Sequence, residues 1–296
     1  MLIGKGRCNG TFGELLQGEL YGRPFLVTLP IDALQSKAVF LPSLTESQVL
    51  GTPQHIKATQ ACVKLLELFD IRCGGTLKLA SNIPVGKGMA SSSADIVAAI
   101  RATAASFDLP VTAEIISAIA SEIEPTDGVM YQDAVSYDHV HGELIESLGS
   151  LPSFGLLGID VGGIVDTIRF NRLAKSYDVK DRQKFSEAYA LVKLGIRTNN
   201  LAPIFQASTI SARINQKLLP NPHFSQFEKL ALKYHAGVVV AHSGTVIGIL
   251  FDPDQQNIKG FVGELAKEIA MLGESEPFLY WQRKPTSMHL VKVAQT

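Results

Sequence analysis

Residues 81–107 read SNIPVGKGMASSSADIVAAIRATAASF, and the organisation of the chain follows from this stretch. Its first half closes an apolar strand pattern and passes through Pro84, Gly86 and Gly88. Its second half opens with Ser91, Ser92, Ser93 and Asp95 and turns into an Ala-rich helical pattern. A glycine loop feeding a helix N-terminus favours an anion, because the first N–H groups of a helix lack intrahelical partners and that end carries partial positive charge. Glycines let the backbone approach closely, and the serines can cap the helix or offer hydroxyls to phosphate or a metal ion. A nucleotide phosphate site is the leading reading, and a Ser-capped strand-to-helix turn is the plainer one. A Walker A loop is excluded, since Lys87 lies between Gly86 and Gly88 instead of after the second glycine; a dinucleotide fingerprint fails because position 91 is Ser.

The chain has 296 residues, enough for two intimately packed domains or one large one. With 46% hydrophobic and 19% charged residues it reads as globular, and a net charge of −1 gives no global pull toward nucleic acid or an anionic membrane. Cys8, Cys62 and Cys73 are widely spaced, which argues against a disulfide framework or zinc site and for reduced thiols. No apolar run approaches the ~18 residues of a membrane span, and MLIGKGRCNGTF lacks a signal-like core. A cytoplasmic protein is expected.

Residues 1–40 alternate short apolar runs with glycine turns, and a hairpin is predicted around Gly22-Arg23-Pro24. Within this region Gly10-Thr11-Phe12-Gly13-Glu14-Leu15-Leu16-Gln17-Gly18 carries one acid and one amide among glycines; an ordinary turn is the alternative. Positions 53–70 predict a helix with Ile56, Ala61, Val63, Leu65, Leu66 and Phe69 facing a sheet. Thr76–Ala80 predicts the strand into the loop, and Ile96, Ala99, Ile100, Thr103 and Phe107 a buried stripe on the helix after it. A third helix is expected over Ala113–Ile123.

Glu122-Ile123-Glu124-Pro125-Thr126-Asp127-Gly128 follows, either a solvated turn or a catalytic one. Transfer of a phosphoryl group to an alcohol benefits from a carboxylate that accepts or orients the hydroxyl proton, and Mg²⁺ prefers carboxylate and hydroxyl oxygens. Ser92 and Glu124 are candidate metal ligands, and Asp127 is left for the hydroxyl. Asp138-His139-Val140-His141 reads as a surface strand, since no further ligands cluster near it. A strand from Gly155, a hairpin through VDTIRF, helices at 181–195, 200–218 and 223–235, and a strand near FLYWQRKPTSMHLVKV complete the pattern. Gly237–Leu250 predicts two strands joined by His242-Ser243-Gly244-Thr245, either a simple hairpin or a small-residue turn able to close over a phosphate.

Pro84-x-x-x-Gly88-Met89-Ala90-Ser91-Ser92-Ser93-Ala94 resembles the central motif of the GHMP kinases, Pro-x-x-x-Gly-Leu-Gly-Ser-Ser-Ala, with Ala90 in place of the second glycine. Gly13-Glu14-Leu15-Leu16-Gln17-Gly18 is similar to the first motif, although Asn9-Gly10 stands where the L-threonine kinase branch has Pro-Ala. Glu124-Pro125-Thr126-Asp127 and Ala241-His242-Ser243-Gly244 also look like that branch, which serves cobalamin synthesis. The resemblance covers nearly the whole chain, with three motifs in order.

It implies an α+β fold of two domains, residues 1–153 like the second domain of ribosomal protein S5 and residues 154–296 ferredoxin-like. It implies ATP held by Pro84, Gly86, Lys87, Gly88, Met89, Ala90, Ser91, Ser92, Ser93, Ser243 and Gly244, and Mg²⁺ held by Ser92 and Glu124. It implies Asp127 as the catalytic carboxylate, although homoserine kinases manage without one there, and Glu14, Gln17 and His242 as contacts to the acceptor. The acceptor is expected to be a hydroxyl amino acid, L-threonine first, with homoserine or serine as alternatives. Arg197 and Arg213 are candidates for its carboxylate. Self-association into a homodimer stays open. A catalytically silent sensor is disfavoured because Ser92, Glu124 and Asp127 are all present, and an RNA-binding role because no basic, aromatic-rich stripe occurs.

Overall fold

The structure, a computed structural model, describes residues 2–163, 165, 170, 175–273 and 275–283. The first forty residues form two long strands, β1 (Gly4–Leu20) and β2 (Arg23–Ser43), where short runs broken by turns were expected. They pair antiparallel from Gly4↔Phe40 to Leu20↔Arg23 around Tyr21 and Gly22, both at positive φ. That backbone suits the twist of a tight hairpin, so the turn lies just ahead of the expected one. The register of β1 slips at Asn9/Gly10, Thr11/Glu14 and Glu14/Leu16. The glycine-rich segment is therefore bulged strand and not turn, and bulges re-aim the side chains they carry. Gly13 makes the bulge possible: its φ is +62°, and a Cβ there would lie 2.3 Å from the Val240 carbonyl oxygen.

β4 (Gly74–Ser81) pairs with β2, and short β3 (Val49–Leu50) lies beside it. Three helices accompany these strands: α1 (Ile56–Leu68), α2 (Ser91–Phe107) and α3 (Ala113–Ile123). α2 lies on β1 and β2. Ile96, Ala99, Ile100 and Thr103 of its expected stripe are fully buried, joined by Ala94, Val97, Ala98 and Ala102. A helix apolar on most of its faces belongs in the interior, and α2 occupies it. α1 packs on α2 and α3 instead of mainly on the sheet. Its buried face is Ala58, Ala61, Cys62, Leu65 and Leu66, while Ile56 and Val63 are exposed. Small Ala58 and Ala61 face the neighbouring helices, a partner that periodicity alone does not specify.

β5 (Ala134–Asp138) and β6 (Glu143–Gly149) form a hairpin that meets β2 at Leu26↔Tyr137. His139 and His141 are not on a surface strand but in the turn after β5. His139 is buried, and His141 lies outside, its Nδ1 2.9 Å from Asp138 Oδ2.

The C-terminal half begins with β7 (Phe154–Asp160) and continues through α4 (Val179–Thr198), α5 (Leu201–Asn215) and α6 (Phe224–Lys233), close to the predicted helices. β8 (Gly237–Val240), β9 (Val246–Phe251), α7 (Ile258–Ala270) and β10 (Phe278–Gln282) complete it. Most of the predicted VDTIRF hairpin, residues 166–169, and the predicted terminal segment beyond 283 lie outside the described residues. The order β10-β7-β9-β8, antiparallel throughout, is the ferredoxin-like arrangement. β8 then meets β1 at Val240↔Glu14, so one ten-stranded sheet, running β10-β7-β9-β8-β1-β2-β4-β3 with β5 and β6 to the side, passes through both halves. The α+β class is as expected. No helix among the described residues is long and apolar enough to cross a membrane.

Candidate active site

β4 ends at Ser81 and α2 begins at Ser91, and the loop between them is shaped by close backbone packing. Ala90 is the N-cap of α2 with φ 60° and ψ 30°, a left-handed conformation that glycine adopts more readily. No side chain caps this helix, so the serines do not cap it as considered above. The Ala94 N–H is the first to bond back, to the Ala90 oxygen at 2.9 Å. The amides of Ser91, Ser92 and Ser93 are thus the unpaired donors of the first turn. The β8–β9 turn presses on the loop from the other half of the chain. A Cβ on Gly244 would lie 2.0 Å from the Lys87 carbonyl oxygen, and one on Gly88 would lie 2.5 Å from the Ala241 Cβ. Thr245 N–H donates to the Lys87 oxygen at 3.2 Å, and Thr11 N–H to the Met89 oxygen at 3.1 Å.

A cavity of about 670 Å³ opens in front of this first turn. Among the residues singled out in the sequence, Pro84, Gly86, Gly88, Met89, Ala90, Ser91, Ser92 and Ser93 line it from the loop. Glu14, Glu124, Asp127, His242 and Ser243 line it from three other parts of the chain. Lys87, Gln17 and Gly244 do not line it. Lys87 turns away to Asp160 Oδ2 at 2.6 Å and to the Gly163 oxygen at 2.8 Å. Gln17 stands behind His242, its Oε1 2.8 Å from Nδ1 of that ring. Gly244 packs behind the loop. Neither Arg197 nor Arg213 reaches the cavity, and Arg213 is engaged by Glu228 at 2.7 Å.

The carboxylates here have distinct environments. Asp127 Oδ2 accepts from the Ser93 hydroxyl at 3.2 Å, and Ser93 Oγ in turn accepts from the Asp127 N–H at 3.2 Å. Burial pushes the Asp127 carboxyl up to about 6, helped by the charge of Glu124 and opposed by the Ser93 hydrogen bond. Glu14 is fully buried and lifted well above the usual carboxylate range by burial and then by the charge of Asp127. Its Oε2 has no hydrogen-bond partner. Ser92 Oγ donates to Glu124 Oε1, while Lys57 Nζ holds Glu124 Oε2. Two adjacent hard oxygen ligands suit Mg²⁺, which commonly takes one or two protein ligands and completes its shell with phosphate and water. Among the described residues no group of three or more His, Cys, Asp or Glu gathers as a metal cage.

Several residues in or beside the cavity were not anticipated. Lys57 and His55 come from the start of α1; His55 Nδ1 lies 3.4 Å from Asp95, which also accepts from Ser36 Oγ at 2.6 Å. A lysine at a helix start carries no pattern of its own. His139 was legible as part of His-x-His but was placed on the surface. Lys175 Nζ lies 2.8 Å from His242 Nε2 and belongs to a stretch without periodicity. Burial, followed by the charge of Lys175, keeps both imidazoles neutral, with His139 pushed down to about 3 and His242 shifted well below its ordinary value.

Residues 55–135 match the GHMP kinases N terminal domain. Over 267 residues, 88% of this chain and 87% of its counterpart, the chain is 29% identical to the L-threonine kinase of Salmonella typhimurium strain LT2. It is 27% identical to the L-threonine kinase of Citrobacter freundii over 85% of this chain and 88% of that one. Among solved structures it is similar to a homoserine kinase from Cytophaga hutchinsonii, with a TM-score of 0.73 at 16% identity, covering 95% of each chain.

Proposed function

We propose, from the match of residues 55–135 to the GHMP kinases N terminal domain and the similarity of most of the chain to two L-threonine kinases, that this chain is a GHMP kinase phosphorylating the side-chain hydroxyl of a small amino acid, L-threonine before others. The observation that carries this reading is that Asp127 and the unpaired amides of Ser91–Ser93 face one cavity and are joined through the Ser93 hydroxyl. The nucleotide phosphates would lie against those amides, where donors and helix field coincide. Ser92 and Glu124 would hold Mg²⁺, whose contribution is to neutralise phosphate charge. Asp127 would accept or orient the hydroxyl proton of the acceptor, and its raised carboxyl gives it a basicity close to neutral pH. Most of the rate comes from position and preorganised charge, since phosphoryl transfer asks little covalent chemistry of the protein. L-Threonine leads because of the two threonine kinase relatives, each similar along most of its length.

The test is ADP release with ATP and Mg²⁺ over L-threonine, L-homoserine, L-serine, sugars and mevalonate derivatives. L-Threonine is expected to give the highest kcat/KM. A higher value for homoserine would move the assignment to the other amino-acid kinases, and no ADP release with any amino acid would overturn it.

A further inference from the structure

One carboxylate of the cavity is held at both of its oxygens. Glu124 is the C-cap of α3, with an extended backbone, and its N–H donates to the Ala120 oxygen at 3.0 Å, so the end of that helix fixes its main chain. Its Oε1 accepts from the Ser92 hydroxyl at the start of α2, and its Oε2 from Lys57 Nζ in the first turn of α1. The starts of two helices and the end of a third thus meet on one side chain.

Lys57 is the sole lysine or arginine among the described residues that line the cavity, where Glu14, Asp95, Glu124 and Asp127 supply acids. The Lys57 side chain is 42% exposed and that of Glu124 14%. A pair so open on one side adds little stability; what it fixes is the orientation of the carboxylate. The last torsion of a glutamate is broad and roughly two-fold, so an unrestrained carboxylate can turn either oxygen, or both, toward a cation. With Lys57 on Oε2, the oxygen left beside Ser92 Oγ is Oε1. A hydroxyl rotates readily and keeps lone pairs for a metal ion once its proton is turned away.

We propose that Lys57 is a positioning residue that makes Glu124 a one-oxygen ligand and thereby selects Mg²⁺ over Ca²⁺. This rests on the reading of Ser92 and Glu124 as the Mg²⁺ ligands. Mg²⁺ demands near-octahedral geometry at about 2.0–2.1 Å and is served by single carboxylate oxygens, phosphate and water, whereas Ca²⁺ takes more ligands at about 2.3–2.6 Å and accepts both oxygens of one carboxylate. A carboxylate with one oxygen held by an ammonium offers Ca²⁺ no second one. The lysine charge opposes both divalent ions alike and so cancels from the ratio of their affinities. That ratio reads the geometry.

The experiment is calorimetric titration of the full chain with the Mg²⁺ complex and with the Ca²⁺ complex of a non-hydrolysable ATP analogue. It is run on the unmodified protein, Lys57→Met, Lys57→Arg and Glu124→Gln, and it reads the ratio of the two dissociation constants. The unmodified protein is expected to bind the Mg²⁺ complex at least ~10-fold tighter than the Ca²⁺ complex. Lys57→Met is expected to bring that preference below about threefold, chiefly through tighter binding of the Ca²⁺ complex, and Lys57→Arg, which keeps a cationic donor for Oε2, to retain most of it. Glu124→Gln is expected to weaken the Mg²⁺ complex by ~10-fold or more. No preference in the unmodified protein, a preference unchanged in Lys57→Met, or one lost equally in Lys57→Met and Lys57→Arg overturns the positioning role. Weaker binding of both complexes to Lys57→Met at a constant ratio also overturns it, and makes Lys57 a phosphate ligand. In each of these cases a weakened Glu124→Gln leaves the metal site standing, whereas unchanged affinity of Glu124→Gln for both complexes sinks the metal site itself and the role of Lys57 with it.

Discussion

Asp127 shows how a buried carboxylate can cost stability at neutral pH. Its carboxyl is raised from 3.8 to about 6, chiefly by burial, so the fold prefers it protonated. The stability it contributes is complete below pH 3.8 and is lost as pH rises through about 6. At pH 7 the ionised form is a burden that Asp127→Asn removes. A shift of two units bounds the gain at about 3 kcal/mol, and because the side chain is half-buried and opens on the cavity, ~1–2 kcal/mol is expected. The same variant is expected to lose turnover by ~10²-fold or more with KM for ATP within about threefold. Thermal unfolding and steady-state kinetics on one preparation check both halves. In the unmodified protein the acid limb of kcat/KM should bend near pH 6 and disappear in the variant. Glu14, raised further by burial and by Asp127, is expected to hold its proton until a cationic group arrives. Acceptor binding should then release a proton, seen as a dependence of the titration heat on buffer ionisation enthalpy, and Glu14→Gln should abolish that dependence. Glu14, Glu124 and Asp127 were legible in the sequence because acids stand out among glycine and proline. Lys57 and Lys175 were not, and His139 was read only as part of a surface His-x-His, since each gains its meaning from a neighbour more than sixty positions away.

At the scale of elements, α2 and α3 have the ends that their sequence signals indicate, because each begins beside a chemical marker and carries its own apolar stripe. The inward face of α1 was misjudged for a complementary reason: periodicity gives a direction only once the partner is known, and here the partner is a helix. The loop before α2 combines both situations. Its glycines announce tight backbone, yet what they avoid is the β8–β9 turn, more than 150 residues away. Ala90 occupies a left-handed N-cap without glycine. Ala90→Gly relieves a backbone cost of ~1–2 kcal/mol and returns part of it as entropy of the unfolded chain. A net gain of about 0.5–1 kcal/mol is expected, with ATP affinity within twofold, measurable by denaturant unfolding. Gly244→Ala is the opposite case, because its Cβ would sit 2.0 Å from a backbone oxygen that no rotamer can move. It is expected to raise KM for ATP ~10-fold or more and to lower the unfolding midpoint.

For the molecule as a whole, the decisive contact is between halves, where β1 meets β8 and the phosphate loop meets the β8–β9 turn. The ferredoxin-like strand order could be anticipated from the family resemblance, but the continuous sheet could not, since pairing across more than two hundred residues leaves no local mark. Lys87 belongs to this scale. Its position in the glycine loop suggested a phosphate ligand, whereas its ammonium is spent on Asp160 at the end of β7. Asp160 also accepts from Thr245 Oγ1 at 2.5 Å and from Gly162 N–H at 3.0 Å. Burial works to raise the Asp160 carboxyl, but the Lys87 and Thr245 hydrogen bonds outweigh it and hold the group below the usual range. The pair is a strut that fixes the loop to the C-terminal half. A strut and a ligand differ in a double-mutant cycle. If Lys87 acts through Asp160, then Lys87→Met and Asp160→Asn should each raise KM for ATP by about 5- to 20-fold, and the double variant should be no worse than the worse single one. KM for the acceptor should stay within about twofold throughout. Should Lys87 bind phosphate directly in the loaded enzyme, Asp160→Asn would leave KM for ATP nearly unchanged or lower it by freeing the lysine, and the Lys87→Met effect would persist in full on that background.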